Sequence, residues 1–508
     1  MLFSNIYYYS MFLPLAAISF WVLSRYSNIL AYWHLIVVSF FFYGIWDYTA
    51  IPILLCSVIF NYFLCQSLCI FSARKKIILA FGVMVNIFYL VYFKYTKFII
   101  SSVLGLEIIP TNDFDIVLPL GISFFTFTQI ALLVDTYRES HRAVSFSEHL
   151  LFVVFFPHLI AGPIYHHKHM MPQFRSMQDG FENYQNIFFG IIIFLIGLCK
   201  KVLFADNFAV DVDDGFSKIA EFNYAAFELA LFAVFAFVLQ IYFDFSGYTD
   251  MAIGSALFFN VKMPVNFLSP LKACSISDFW KRWHITLSEF LTSYVFRPLT
   301  IFMAKRLGKG YVERQYVWFG VALASPVLIT FLISGIWHGA GWTFIMFGLV
   351  HGVALVVEYS WKEFVGMRIH RFLGWVLTMT VWTTSLVFFR SPDLATSFLL
   401  LGSVAEVVSD FRSSMTSFLA LVSTAEHLHL YLIAVLLCFF APNTSQLVTN
   451  MEAWLLDLSA ETNWIQRCLG GWGIAIGFGV MIGIIFVILS VDQVNSVEAA
   501  KQFIYFEF

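Results

Sequence analysis

Apolar segments long enough to cross a lipid bilayer recur along the whole chain. A spanning helix needs about 20 predominantly apolar residues to cross roughly 30 Å of hydrocarbon. We count about eleven such segments, and two more near the C-terminus bring the upper count to about thirteen. The first eleven have cores near 6–24, 29–46, 50–71, 77–95, 116–134, 150–164, 186–204, 226–246, 316–337, 341–360 and 372–389, and the last two lie near 427–441 and 471–491.

Composition excludes a soluble fold. Of the 508 residues, 60% are hydrophobic and only 12% are charged, and 61 are Phe, whereas roughly a quarter of an ordinary soluble domain is charged. With a mean hydropathy of +0.81, a soluble form would expose large apolar patches and aggregate. We therefore predict an all-α polytopic transmembrane helical bundle, forming one domain over 1–508. A net charge of −3 gives no basis for nucleic-acid binding.

Two of the apolar segments, 150–164 and 427–441, are short for a span and are predicted to be re-entrant or interfacial. The first segment, Ile6–Leu23, lacks a basic region before it and a small-residue cleavage site after it. We therefore expect it to be a retained first span and not a cleaved signal peptide.

The basic residues of the short loops predict the orientation of the chain. The basic cluster at 74–76, together with Arg138 and Arg142, agrees with an N-terminus outside the cytoplasm. Lys94 and Lys97 oppose that orientation.

The stretch 260–315 is too polar to span the membrane and too apolar to be a free loop. Basic, aromatic-rich segments of this kind lie at the membrane interface. Under the positive-inside rule this one is cytoplasmic. The stretch 391–426 is predicted to be an outward loop.

Polar residues inside apolar spans are costly, which makes them functional candidates. In the cluster 334–342, His338 lies between two apolar spans and is followed by Gly339 and Gly341. Glycines permit a break in the helix and the close approach of a ligand. A neutral buried imidazole there can accept a proton from a hydroxyl, or it can brace the helix break by a hydrogen bond; we weigh the two about evenly.

A second cluster occupies 277–288. At helical spacing Trp280 and His284 would share one face, as would Asp278 and Arg282. Taken alone, the segment resembles an interfacial helix anchored by aromatic side chains.

A third cluster, 240–250, places Asp244, Ser246, Tyr248 and Asp250 near the end of a span. The two carboxylates need partners or water. They could pair with cations of the basic segment that follows, or they could line a polar substrate path.

Two further patterns are weaker. His166, His167 and His169 lie close together without a clear carboxylate or Cys partner, which makes a metal site improbable. His338 and His351 are too far apart to hold one haem if a continuous helix joins them. The seven cysteines lie mostly in apolar stretches without zinc-ligand spacing and are interpreted as buried small hydrophobes.

At the clusters the chain resembles the membrane-bound O-acyltransferase family, and within it the branch that O-acetylates alginate and other exported polysaccharides. Five motifs occur in the family's order, most densely over 115–395, and the C-terminal FIYF (503–506) also resembles that branch. The five motifs are LPLGISFFTF (118–127), FPHLIAGP (156–163), YFDFSGYTD (242–250), DFWKRWH (278–284) and GIWHGAGW (335–342). His158 departs from the Gln expected in the alginate relatives.

The resemblance implies a catalytic His338, a second functional polar residue at His284, and a tunnel with a cytosolic mouth built by 260–315. It implies no bound cofactor or metal, acetyl-CoA as donor, and a location in the bacterial inner membrane. It also implies a periplasmic SGNH-type transferase and polysaccharide export or synthase machinery as partners. The residues expected to support the site or line the substrate path are Trp337, Trp342, Asp278, Trp280, Arg282, Asp244, Ser246, Tyr248, Asp250 and His351.

Acyl transfer to an alcohol needs a base for the hydroxyl proton and a donor for the developing oxyanion. We expect His338 to be the base, and His284 to orient the acceptor or to stabilise the tetrahedral intermediate. Two alternatives stay open: D-alanyl transfer to teichoic acid from a carrier protein, and a solute transporter without covalent chemistry. A transporter predicts inverted repeats, and none is visible in the sequence.

Overall fold

A computed structural model describes residues 3–105, 118–139, 144–176, 184–224, 226–307, 315–406, 416–418 and 427–451. The regular secondary structure within these ranges is helical, as predicted. The longer helices are α1 (Leu13–Tyr26), α2 (Asn28–Asp47), α3 (Ile51–Ile70), α4 (Lys75–Leu90), α5 (Ile122–Glu139), α6 (Phe146–Val154), α7 (His167–Ser176), α8 (Tyr184–Cys199), α9 (Asp206–Phe222), α10 (Phe227–Leu257), α11 (Ile285–Leu291), α12 (Arg297–Leu307), α13 (Ser325–His338), α14 (Trp342–Ser360), α15 (Arg371–Arg390), α16 (Leu394–Glu406) and α17 (Leu428–Phe440).

Seven helical runs of the described ranges are long and apolar enough to cross a membrane. An eighth is obtained if α17 and the helix Thr444–Met451, bent by 60° at their break, count as one span. The seven runs are Asn28–Ile70, Ser72–Val103, Gln185–Phe222, Phe227–Leu257, Gln315–His338, Trp342–Val365 and Arg371–Arg390.

The predicted spans and the seven runs therefore do not correspond one to one. The predicted segments 29–46 and 50–71 form one helical run, joined through a single 3₁₀ turn at Tyr48–Ala50. Segments 6–24 and 116–134 do form helices, but these are not among the seven runs. The predicted span 471–491 lies outside the described residues.

The short segment 150–164 is not a straight span. It is divided between α6 and the four-residue helix Phe156–Leu159, which has Pro157 in its first turn. A capping box between Ser145 and Glu148 starts α6. Residues 149–164 are buried inside the protein, so irregular backbone here is shielded from lipid, as membrane depth requires.

Glycines let two helix pairs approach backbone to backbone. A Cβ added to Gly197 of α8 would lie 2.6 Å from the carbonyl oxygen of Gly247 in α10. A Cβ on Gly335 of α13 would lie 2.3 Å from the carbonyl oxygen of Phe344, and one on Gly348 of α14 would lie 2.3 Å from that of Phe331. Small residues at such contacts are the usual means by which membrane helices pack closely.

The segment 260–315 only partly fits an interfacial location. Its first half folds into the protein through the short helices Pro270–Lys272 and Ile276–Phe279 and then α11. Phe279 and Trp283 are buried there. Helix α12, by contrast, has no buried residue, as an interfacial helix should. The predicted outward loop 391–426 contains helix α16.

Candidate active site

His338 is the last residue of α13, which begins with Pro326 in its first turn. Gly339 continues the chain in an extended conformation, with φ −161°. A Cβ at Gly339 would lie 2.1 Å from the ring of Phe344, so only glycine fits there without rearrangement. The imidazole of His338 is buried and packs edge-on against the rings of Phe347 at 5.3 Å and Phe389 at 5.5 Å.

Two residues of a distant helical run hold the end of α13. The Lys94 ammonium donates to the carbonyl oxygens of Trp337 at 2.7 Å and His338 at 2.9 Å. The Tyr95 hydroxyl donates to the carbonyl oxygen of Ile336 at 2.5 Å. The last four carbonyls of a helix lack intrahelical donors, and a cation there also interacts favourably with the helix dipole. Lys94 thus serves the end of α13 and is not a loop charge, which removes one objection to the predicted orientation.

His284 precedes α11 and is fully buried. Its backbone is left-handed, with φ 43° and ψ 53°, a conformation that costs energy for a residue other than glycine and is often kept at functional sites. Its Nδ1 lies 3.2 Å from Oδ1 of Asn266, and Phe245 packs edge-on against the ring at 4.7 Å. Burial lowers the pKa of His284 to about 3, so the imidazole is neutral at pH 7.

The indole of Trp337 lies between the two histidines that the sequence singled out. Its ring centroid is 6.2 Å from that of His284 and 4.9 Å from that of His338. The two imidazoles are close enough to interact electrostatically. The structure therefore brings together His338, His284 and Trp337, although 54 positions separate the two histidines in the sequence.

His351 also belongs to this buried cluster. The indole N–H of Trp280 donates to His351 Nδ1 at 3.3 Å, and Phe347 lies 5.0 Å from the imidazole. The helix break at 339–341 separates α13 from α14, so the assumption that a continuous helix keeps His338 and His351 apart was wrong. His351 is within electrostatic range of His338 and packs behind it.

The second sequence cluster is not one helix. The helix Ile276–Phe279 ends before the left-handed residue His284, so the prediction that Trp280 and His284 share a helical face is wrong. Trp280 contacts His351, whereas His284 contacts Asn266 and Phe245. Asp278 and Arg282 do lie on one side of the chain and form an ion pair at 2.8 Å, with about a third of each side chain exposed.

The carboxylates of the third cluster pair with lysines that precede them in the chain, and not with the basic segment that follows. Lys201 lies 2.7 Å from Asp244, and both side chains are at most 5% exposed. Lys200 lies 2.7 Å from Asp250. These pairs brace α10 against the π-helical turn Lys200–Ala205.

Asp250 additionally lines a cavity of about 200 Å³ together with Tyr242, Thr444 and Asn266. Since Asn266 also contacts His284, this cavity adjoins the histidine cluster. Ser246 is buried in α10, and Tyr248 is buried against Phe3 with ring centroids 4.8 Å apart.

A much larger cavity, of about 1240 Å³, is bounded by segment 260–315 and the ends of neighbouring helices. Its lining reaches Ile285, next to His284, and Trp280, which binds His351. Five Lys or Arg side chains and two carboxylates line it, so its charge is predominantly positive. These charged residues are Arg138, Lys168, Lys281, Arg297, Lys362, Asp135 and Glu289.

One member of the histidine cluster at 166–169 has a carboxylate partner that the sequence did not reveal. The Tyr294 hydroxyl donates to Asp135 at 2.8 Å, and His166 Nδ1 lies 2.9 Å from the same hydroxyl. Burial lowers the pKa of His166, and the Asp135 carboxylate partly offsets that effect. All three side chains line the large cavity. The described residues contain no group of three or more potential metal ligands.

The sequence profile of the membrane-bound O-acyltransferase family matches residues 40–401. The chain belongs to this family. The match begins well before the region 115–395 in which the resemblance is dense and covers most of the described helices. Membership makes the protein a multi-pass membrane O-acyltransferase, and the matched region includes His284 and His338.

Curated relatives include O-acetyltransferases. The peptidoglycan O-acetyltransferase of Helicobacter pylori is 39% identical over 419 residues, which cover 75% of this chain and 76% of that protein. The probable alginate O-acetylase of Pseudomonas aeruginosa is 32% identical over 409 residues, covering 78% and 73%. The teichoic acid D-alanyltransferase of Bacillus subtilis is 27% identical over 246 residues, covering 48% and 59%.

The structure of this O-acyltransferase shows the contacts of two further residues that the sequence singled out, Trp342 and His158. Trp342 is 48% exposed and contacts Phe98 at 5.7 Å, away from the imidazoles. His158, the departure from the alginate pattern, is buried, and its Nε2 lies 2.7 Å from the carbonyl oxygen of Phe152. It braces the turn between two short helices.

The sequence does not predict the roles of Lys94, Asn266 and Tyr294. It indicates Lys94 only as a charge that opposes the predicted orientation, and no motif or apolar span marks Asn266 or Tyr294 as functional.

Proposed function

We propose that this O-acyltransferase transfers acetyl from cytosolic acetyl-CoA toward an exported bacterial polysaccharide. The single observation that carries the proposal is the pair of buried imidazoles, His338 and His284, on either side of Trp337. Ile285, the residue after His284, lines the large positive cavity. The 39% identity to a peptidoglycan O-acetyltransferase makes peptidoglycan the first acceptor to test, ahead of an alginate-like exopolysaccharide.

The large cavity supports an anionic thioester as donor. Its volume, about 1240 Å³, exceeds the roughly 300–1,000 Å³ of ordinary small-molecule sites, which suits a molecule the size of a coenzyme A thioester. The excess of basic over acidic side chains along its walls favours phosphate groups. Its lining includes Ile285, the residue after His284, and Trp280, which donates to His351, and this proximity to the histidine cluster supports the proposal.

In the proposed reaction, the acceptor oxygen attacks the thioester carbonyl carbon and the carbon–sulfur bond breaks. The hydroxyl proton passes to His338 and then to the departing thiolate, so the products are the O-acetyl ester and free coenzyme A. His284 orients the acceptor or stabilises the tetrahedral intermediate. The apolar walls formed by Phe347, Phe389 and Trp337 keep bulk water away from the thioester.

We further propose that the enzyme lies in the bacterial inner membrane and passes the acetyl group to a periplasmic SGNH-type transferase or directly to the polysaccharide. D-alanyl transfer from a carrier protein is the second candidate. It is supported only by relatives at 26–27% identity that cover 48% of the chain. Membership of the O-acyltransferase family argues against a transporter without covalent chemistry.

The test uses wild-type protein and a His338→Ala variant in lipid nanodiscs with radiolabelled acetyl-CoA. His338→Ala should abolish label transfer without loss of folded protein, whereas His429→Ala, at an exposed histidine of α17, should behave as wild type. In cells that lack the gene, only wild type should restore base-labile acetate on purified peptidoglycan or exopolysaccharide. Unchanged acetylation by the His338→Ala variant, or activity only with a D-alanyl carrier protein, would refute the proposal.

A further inference from the structure

Asn266 is a hydrogen-bond hub beside His284. The side chain is 1% exposed, and its Oδ1 accepts from both the backbone N–H of Thr286 at 3.2 Å and the Thr286 hydroxyl at 3.0 Å. The same oxygen lies 3.2 Å from His284 Nδ1. Three groups from one short stretch of chain therefore converge on a single amide oxygen.

The orientation of this amide follows from its neighbours. A backbone N–H is only a donor, so the atom that faces Thr286 N must be the oxygen and not the NH₂ group. The Thr286 hydroxyl agrees, because its oxygen accepts from the backbone N–H of Ile164 at 3.1 Å and its proton is then directed to Asn266. Rotating the amide by 180° would place its NH₂ group, which only donates, against these two donors.

The protonation of His284 then follows. An amide oxygen only accepts, so His284 Nδ1 must carry a proton to bond it. A neutral imidazole has one N–H, which leaves Nε2 with a lone pair. Nε2 is buried and has no hydrogen-bond partner among the described residues, so this lone pair is available within the cluster that contains Trp337 and His338.

We propose that Asn266 is a positioning residue that holds His284 as the Nδ1–H tautomer and thereby makes Nε2 a hydrogen-bond acceptor toward the acyl acceptor. The inference rests on the proposed function and decides between the two roles left open there. A neutral His284 with a lone pair at Nε2 cannot donate to the oxyanion. It orients the acceptor by receiving a hydrogen bond from an O–H or N–H group beside the reacting hydroxyl, whose own proton goes to His338.

The tautomer can be measured without any acyl transfer. Nitrogen-15 solid-state NMR of histidine-labelled protein in bilayers distinguishes a protonated from an unprotonated ring nitrogen, and a His284→Gln sample identifies the signals by difference. Wild type should show His284 protonated at Nδ1 and unprotonated at Nε2 at neutral pH. A signal from protonated Nε2 in wild type would overturn the inference, whatever the activity.

Two substitutions separate positioning from folding. Asn266→Asp keeps an acceptor at Nδ1 and should keep the tautomer, and its kcat should exceed that of Asn266→Leu. Asn266→Leu removes the acceptor and should lower kcat about 100-fold, the typical effect of a misplaced catalytic group, with little change in KM for acetyl-CoA. Equal kcat and an unchanged tautomer in Asn266→Leu would refute the role of Asn266.

The pH profile gives a readout that a merely structural role would not change. A carboxylate at 266 raises the pKa of His284 above its wild-type value of about 3, so Nε2 loses its lone pair at a higher pH. Asn266→Asp should therefore lose activity on the acidic side at higher pH than wild type. His338 is the titratable group that packs toward His284 from α13, and α10 presents Phe245 there.

If the wild-type protein transfers no acetyl group, the proposed function is refuted. The tautomer inference is tested separately, because the NMR result does not depend on turnover.

Discussion

Replacing Lys94 by Met tests whether a residue of a distant helical run positions His338, the proposed catalytic histidine. Lys94 lies in the π-helical turn Val91–Tyr95, 244 positions before His338. Met has nearly the same length and apolar stem, so the substitution removes the ammonium and its two hydrogen bonds and little else. The carbonyls of Trp337 and His338 then lose their donors.

The expected magnitude follows from these contacts. Each hydrogen bond from a charged donor contributes roughly 1.5–3 kcal/mol, and a cation at a helix C-terminus adds about 0.3–2 kcal/mol. Removing the ammonium also removes the cost of keeping it out of water, which offsets part of that sum. We expect the substitution to destabilise the observed backbone position of Trp337 and His338 by a net amount of about 2 kcal/mol. At about 1.4 kcal/mol per factor of ten, this lowers kcat roughly 30-fold.

The assay is steady-state acetyl transfer in nanodiscs, with thermal unfolding measured on the same samples. Lys97→Met makes the same chemical change three residues later, at an exposed position, and should leave kcat within twofold of wild type, since exposed substitutions usually matter little. Lys94→Met should lower kcat and leave KM for acetyl-CoA nearly unchanged, because the ammonium binds backbone carbonyls and not substrate. If Lys94→Met and Lys97→Met give the same kcat, the positioning argument fails.

Two further predictions concern buried polar pairs. Lys201→Met should lower stability by about 3–5 kcal/mol, because it removes the cation that pairs with the buried Asp244 at 2.7 Å and with Asp206 at 2.8 Å. Thermal unfolding should show the loss, and Lys201→Met combined with Asp244→Leu should recover part of it, since the pair with Asp206 is still lost. His351→Leu should cost about 1–3 kcal/mol of stability, because it leaves the indole N–H of Trp280 without an acceptor, while acetyl transfer stays well above that of His338→Ala. Adding Trp280→Phe should restore the stability, and full inactivity of His351→Leu would contradict its supporting role.

The sequence predicted the helical membrane class because apolar segments and a shortage of charge leave few other folds. Hydropathy does not register how apolar segments are joined. The single 3₁₀ turn at Tyr48–Ala50 lets two apolar segments continue as one run. The buried segment 149–164 is equally apolar, yet its helix breaks at Phe155, two residues before Pro157.

The two histidines could be found from the sequence because motifs mark them and because a His in an apolar context is costly. Their neighbours could not be found in this way. Asn266 and Thr286 are small polar residues in a segment read as interfacial, and their function depends on a turn that brings them to one imidazole. The backbone of His284 is left-handed in that turn, and no sequence pattern predicts this conformation.

The charges show most clearly why partners escape prediction. Lys94, Lys200 and Lys201 are basic residues that sequence reading assigns to loops or to the ends of spans. Each instead lies in a π-helical turn, which adds a residue to the helical repeat and changes the direction in which the side chain points. Lys94 consequently reaches the end of α13, and Lys201 reaches Asp244 inside the bundle. An unpaired charge is costly in a membrane. The register of one helical turn therefore decides whether a lysine lies in a loop, where it indicates orientation, or inside the bundle, where it supports the candidate active site.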